Sequence, residues 1–182
     1  MAATRIVSII GRQNAGKTTL LVALANELRR RKFRVMTIKH ATHPMQLDTE
    51  GKDTWRHFQE GHAERVLLEA PGERVLFERT TETGDPAALA EQYLTGADIV
   101  LCEGFTSARL PKIEVSRRVA GPPLWKPETA GTAGTGSSGD WIAMVTDDAN
   151  FRADFPVFRF SDTSWLVTLG NLAWDRARIL AP

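Results

Sequence analysis

Gly11-Arg12-Gln13-Asn14-Ala15-Gly16-Lys17-Thr18 is the stretch that decides the fold. It fits G-x-x-x-x-G-K-[ST], a loop in which glycines permit tight turning, backbone N–H groups face a phosphate, and the lysine adds a mobile positive charge. The threonine hydroxyl suits Mg²⁺, and the positive end of a following helix points at the anion. The flanks agree with this reading. Residues 6–10 are a β-branched apolar run of the buried-strand type. Over residues 18–31, Leu20, Leu21, Leu24 and Leu28 recur at helical spacing. A second strand is expected over residues 33–39. Strand, glycine loop, helix and strand together open a parallel α/β fold with a right-handed crossover, in which ligands sit beyond the carboxyl ends of the strands.

Working outward, residues 40–52 read as a polar loop leading into a helix over 53–59 that Gly61 ends. Two alternating runs, 64–69 and 73–79, flank Pro71-Gly72 and predict an antiparallel hairpin or flap. A helix over 85–94, strands over 98–102 and 112–115, strands over 141–145 and 156–160, and a helix over 162–179 complete the pattern. The fold class is α/β, a P-loop NTPase-like, mostly parallel sheet flanked by helices. Residues 1–182 are expected to form a single nucleotide-binding domain with a flexible Gly/Pro/Ser-rich insertion near 121–139.

Composition removes several classes of function. Of 182 residues, 42% are hydrophobic and 25% charged, as in ordinary soluble chains, and the formal charge of +1 offers no field for nucleic acid. The single cysteine, Cys102, allows no internal disulfide and no cysteine-based zinc site, which favours the cytoplasm. The first residues lack a signal-peptide pattern and no window reaches the ~20 apolar residues of a membrane span, so neither export nor membrane insertion is expected.

The phosphate-contacting set from the motif and its flank is Gly11, Asn14, Ala15, Gly16, Lys17, Thr18 and Thr19. An NTPase also needs an acid for its magnesium ion at the end of a second buried strand, and Glu103, followed by Gly104, is best placed to join Thr18 there. Asp98, at the other end of that strand, reads as a strand-start residue. Asp48 is a candidate second acid near the γ-phosphate, while Asp53 can cap the helix it begins. Lys17, Glu103 and Asp48 form the candidate catalytic set. Thr146-Asp147 follows a strand, and a carboxylate there can accept from guanine N1 and N2; an aspartate at a strand-to-helix junction is also a common cap, and both readings stay open. The four histidines, His40, His43, His57 and His62, are clustered in sequence, but their spacing gives little support to a metal site.

Several segments together resemble the molybdopterin-guanine dinucleotide biosynthesis protein B (MobB) family. They are residues 11–20, Ile38-Lys39-His40, Asp48 with Gly51-Lys52-Asp53-Thr54-Trp55-Arg56-His57, Glu103-Gly104-Phe105, and Pro111-Lys112-Ile113-Glu114-Val115-Ser116-Arg117. The resemblance implies a dimeric protein that binds GTP and Mg²⁺, hydrolyses GTP weakly, and assists the molybdenum cofactor guanylyltransferase acting on molybdopterin or its guanine dinucleotide. It adds weight to Glu103, Lys112 and the segment 48–57. The glycine-rich insertion is longer than the family leads one to expect, and His62 stands where a small residue is usual. Two other readings remain open at this point: a small-molecule kinase, with Arg117 and Arg118 in a lid, and a metallochaperone GTPase drawing on the histidines.

Overall fold

The computed structural model describes residues 3–42, 48–81, 83–126, 141–161 and 164–180. They fall into two compact units, Met1–His40 with Asp85–Pro182, and Ala41–Gly84.

The larger unit is built on a sheet whose strands are β1 (Arg5–Ile10), β2 (Val35–Lys39), β5 (Ile99–Glu103), β6 (Lys112–Ser116), β7 (Trp141–Thr146), β8 (Val157–Arg159) and β9 (Arg178–Ile179). The strand order is β2-β5-β1-β6-β7-β8, parallel throughout, with β9 added antiparallel to β1. Strands covered on both faces read as continuous apolar runs, as β1 and β5 do. Helix α1 (Lys17–Arg30) lays Leu20, Leu21, Leu24 and Leu28 on Val7, Ile9, Leu101 and Val115, where Leu169 and Ala173 of α4 (Leu166–Arg176) join them. The opposite face buries Ile6, Val100 and Cys102 against Ala87 and Ala90 of α3 (Pro86–Tyr93). Each fully buried leucine contributes roughly 1.5–3 kcal/mol, so the stripe on α1 is enough to fix the helix on the sheet and with it the loop that precedes it.

Local chemistry sets the element ends. Asp85 caps α3, its carboxylate accepting from the backbone N–H of Ala87 at 3.1 Å and of Ala88 at 3.2 Å, with Pro86 at the first helical position. Asp98 acts at a strand start, as its sequence context suggests: Oδ2 accepts from Arg34 N at 2.6 Å. At the end of α1, buried Glu27 pairs with Arg30 and Arg31, and Arg31 reaches on to Asn171 Oδ1 at 2.6 Å and Val167 O at 2.8 Å, joining α1 to α4.

In the smaller unit α2 (Asp53–Gln59) precedes the hairpin of β3 (Arg65–Ala70) and β4 (Glu73–Glu78), which are antiparallel and turn at Pro71-Gly72. Arg79 lies over the Phe58 ring at 4.1 Å, and Phe58 faces Phe77 at 6.1 Å.

Three expectations need correction. The helix expected over 162–179 is shorter: α4 ends at Arg176, and Arg178–Ile179 become a strand. The cause is tertiary, because β6 pairs with β1 only from Ser8 onward, and Arg5 and Ile6 find backbone partners in Ile179 and Arg178 instead. Asp147 does not stand at a strand-to-helix junction, since a turn and not a helix follows β7. Asp53 is the first residue of α2, after Lys52, and makes no side-chain cap bond. Residues 127–139 of the glycine-rich insertion lie outside the described residues. Among the described residues no helix is long and apolar enough to cross a membrane.

Candidate functional site

The glycine-rich loop joins the carboxyl end of β1 to α1. At Gly11, φ is +146°, and a Cβ would sit 2.2 Å from the carbonyl oxygen of Val115 in β6, so no side chain fits. Asn14 holds φ at +61°, and Gly16, at +103°, is the N-terminal cap residue of α1. Gly16 offers no side chain to the first N–H groups of the helix, an arrangement that an anion satisfies. The Lys17 ammonium donates to the carbonyl of Arg12 within the loop at 2.9 Å.

Beside the loop, the Thr18 hydroxyl donates to Glu103 Oε2 at 2.8 Å, and Lys39 Nζ lies 3.7 Å from Oε1 of the same carboxylate. Register explains the meeting: Glu103 ends β5 opposite Ile9 of β1 on one side and Lys39 of β2 on the other. The turn after Glu103 is pinned by Gly104 N donating to Ile9 O at 2.9 Å and by Ser8 Oγ donating to Gly104 O at 2.5 Å. Gly104 has φ +92°, with His40 Cβ 3.2 Å from where its own Cβ would be. Two oxygen ligands of the hard type that Mg²⁺ takes thus stand together at the foot of a phosphate loop, and the donor set fits a magnesium nucleotide.

Beyond β6 and β7 the candidates are engaged differently. Asp147 Oδ1 accepts from Arg118 N at 2.9 Å, holding the 3₁₀ turn Arg118–Ala120 to the end of β7. Thr146 Oγ1 accepts from Asp148 N at 3.1 Å. Asp48, in the smaller unit, accepts from Thr49 N at 2.8 Å and from the Thr54 hydroxyl at 2.6 Å. Lys112 is 1% exposed and donates to the carbonyls of Ala108 and Leu110 at 2.9 and 3.2 Å, with the Trp141 ring 5.4 Å from its ammonium. His40 packs its ring on Phe105 at 4.9 Å. His57 and His62 belong to the smaller unit, and His43 lies outside the described residues. Among the described residues no three His, Cys, Asp or Glu side chains gather in a metal-binding group. Burial, with a lesser effect of Asp85, pushes the Cys102 thiol up to about 12, which leaves it unreactive.

Sequence reasoning passed over Glu114 and Arg12. Glu114 is buried in β6 and accepts three N–H bonds: from Leu124 at 2.5 Å, Trp125 at 3.0 Å and the Trp141 indole at 2.8 Å. Burial raises its carboxyl above the ordinary range, against the pull of those donors and of Arg12. Arg12 Nε donates to Pro122 O at 2.6 Å, so the glycine-rich loop and the segment after β6 are tied through one side chain. The available signal was an acid between Ile113 and Val115 in a strand, which in a sheet covered on both faces needs buried partners.

Comparison with known proteins places these features in context. A family model for molybdopterin guanine dinucleotide synthesis protein B matches residues 6–147. The chain is similar to a molybdopterin-guanine dinucleotide biosynthesis adapter protein of Haemophilus influenzae, 42% identical over 123 residues, 65% of this chain and 67% of that one. It is also similar to one of Escherichia coli, 34% identical over 112 residues, 58% of this chain and 62% of that one. In fold it resembles the crystal structure of Bacillus subtilis MobB, with TM-score 0.67 and 24% identity, covering 96% of this chain and 98% of that one. The matched segments span 58–67% of the length of the curated relatives.

Proposed function

The chain belongs to the molybdopterin guanine dinucleotide synthesis protein B family, and from that premise we propose that it is a GTP-binding adapter in molybdenum cofactor biosynthesis. The observation that carries the nucleotide part is the Thr18–Glu103 hydrogen bond at the foot of the loop over residues 11–18. In this reading backbone N–H groups from Asn14 to Thr19 and the Lys17 ammonium hold the phosphates, while Thr18 and Glu103 hold Mg²⁺. When bound, the ion offsets charge on the phosphate oxygens. Lys17 exchanges its bond to the Arg12 carbonyl for one to a phosphate, a stronger charge-assisted contact.

GTP in preference to ATP rests on Asp147, whose carboxylate keeps one oxygen beyond the bond to Arg118. Hydrolysis in this reading is slow, with Asp48 the further candidate acid. The adapter role follows the relatives, which are named adapter proteins of molybdopterin-guanine dinucleotide biosynthesis. It gives this chain a guanylyltransferase as partner, molybdopterin or its guanine dinucleotide as the shared ligand, and a cytoplasmic place. Self-association into a homodimer is supported by the hairpin, whose Leu67, Leu68, Val75 and Leu76 are exposed, Leu67 at 64%. Equilibrium binding of GTP and ATP, with and without Mg²⁺, tests the nucleotide part. Co-elution with the guanylyltransferase tests the adapter part. Equal affinity for ATP, or no association with that enzyme, would each remove its half of the proposal.

A further inference from the structure

Arg117 follows β6 directly and turns its guanidinium toward the phosphate loop. Its Cζ lies 4.5 Å from the centre of the Phe160 ring. Its Nε and Nη2 each come within 3.8 Å of the position that a Cβ on Gly16 would take, at the start of α1. Nε is buried, and no acceptor among the described residues lies within hydrogen-bond reach of it. Arg117 as a whole is half-buried, but this one N–H is shut off from water without an acceptor, which is destabilising, and the face of one aromatic ring offsets it only in part. An acceptor brought by a ligand at Gly16 would complete the set.

The sheet order indicates which part of the ligand this is. Glu103 and Lys39 end β5 and β2, on one side of β1; Arg117, Asp147 and Phe160 follow β6, β7 and β8, on the other. Thr18 and Glu103 mark the metal and terminal-phosphate end, so the nucleoside extends toward β7 and β8. Arg117, beside the strand next to β1, stands between the two ends.

We propose that Arg117 is a nucleotide-contacting residue that donates from its guanidinium to the α-phosphate, opposite the side served by Glu103 and Lys39. This rests on the nucleotide-binding reading above. An α-phosphate contact is common to di- and triphosphates, whereas a γ-phosphate contact is not, and that difference is measurable.

The test is calorimetric titration of the full chain, as wild type, Arg117→Ala and Arg117→Lys, with GTP and with GDP, alongside thermal melting without ligand. Arg117→Ala is expected to lose about tenfold to a hundredfold in affinity for both nucleotides, with their ratio preserved. Arg117→Lys, which keeps charge but lacks the planar Nε donor, is expected to fall between, and it serves as the readout if the alanine variant does not fold. Affinity for both nucleotides within twofold of wild type, with or without a lower melting temperature, would make Arg117 a strut for Phe160 and overturn the proposal. A loss confined to GTP would overturn it as well. A wild-type chain that binds neither nucleotide would instead remove the nucleotide-binding reading on which it stands.

Discussion

The Thr18 hydroxyl donates to Glu103 Oε2 at 2.8 Å, so a residue at the start of α1 and one at the end of β5, 85 positions apart in the chain, meet beside the glycine-rich loop. The parallel register of β1 with β5 makes the meeting unavoidable, because it sets Glu103 opposite Ile9, two residues before the loop begins. The same carboxylate faces the Lys39 ammonium at 3.7 Å.

Glu103→Gln preserves size and the ability to accept from Thr18 but removes the charge that a magnesium ion would need. Magnesium-dependent GTP hydrolysis is expected to fall at least about tenfold, while binding without magnesium is kept or improved. Phosphate release assayed across a magnesium titration reads this directly, and an unchanged magnesium dependence would remove Glu103 from the magnesium-holding role.

Asp147→Asn separates two uses of one side chain. The amide oxygen can still accept from Arg118 N, so the folded state should survive, but the oxygen left to accept from guanine N1 and N2 is replaced by an amide NH₂ that can only donate. GTP affinity is expected to drop by roughly 1–3 kcal/mol and XTP affinity to rise relative to it. A GTP to XTP affinity ratio equal to that of wild type would leave Asp147 only its bond to Arg118.

Glu114 ties the stability of the larger unit to pH. Burial raises its carboxyl above the ordinary value of 4.5, so the unfolded chain releases this proton first as pH rises. Its contribution is therefore fully present below that value and is lost as pH climbs through the raised one. Urea melts at pH 4, 5.5 and 7 should show the difference between wild type and Glu114→Gln, which cannot titrate, moving against wild type with rising pH. A difference that moves in favour of wild type would mean that the three N–H donors outweigh burial.

Gly11→Ala sets a methyl group 2.2 Å from the Val115 carbonyl oxygen, at a φ of +146° that alanine rarely adopts. Relief requires β1 and β6 to part where Ile9 faces Ile113 and Ile10 faces Glu114. A stability loss of at least about 2–3 kcal/mol is expected by urea denaturation. An unshifted midpoint with an unchanged slope would contradict the close approach of the two strands.

Much of this site could be read from local pattern. The spacing of Leu20, Leu21, Leu24 and Leu28 gives α1 and its buried face, Pro71-Gly72 gives the hairpin turn, and Glu103 shows itself as an acid closing an apolar run before a glycine. What escaped was non-local. The Asp147 bond to the Arg118 backbone depends on β6 and β7 lying side by side, and the approach of Arg117 to Gly16 and Phe160 depends on the order of three strands. The antiparallel β9 escaped because helical periodicity near the chain end says nothing about unpaired backbone groups on Arg5 and Ile6. Glu114 was visible as a charge inside a strand, yet only the fold shows Leu124, Trp125 and Trp141 converging on it.

The most direct test of the central claim is GTP affinity of Lys17→Ala, measured by titration alongside the melting curve of the ligand-free protein. Lys17 bonds only the Arg12 carbonyl among the contacts described, so removing its ammonium should leave the melting temperature within a few degrees (~2–4 °C) of wild type. Affinity for GTP should fall at least about tenfold, as expected for loss of a charge-assisted phosphate contact. A folded Lys17→Ala chain that binds GTP as tightly as wild type would contradict the assignment of residues 11–18 as the phosphate-binding loop.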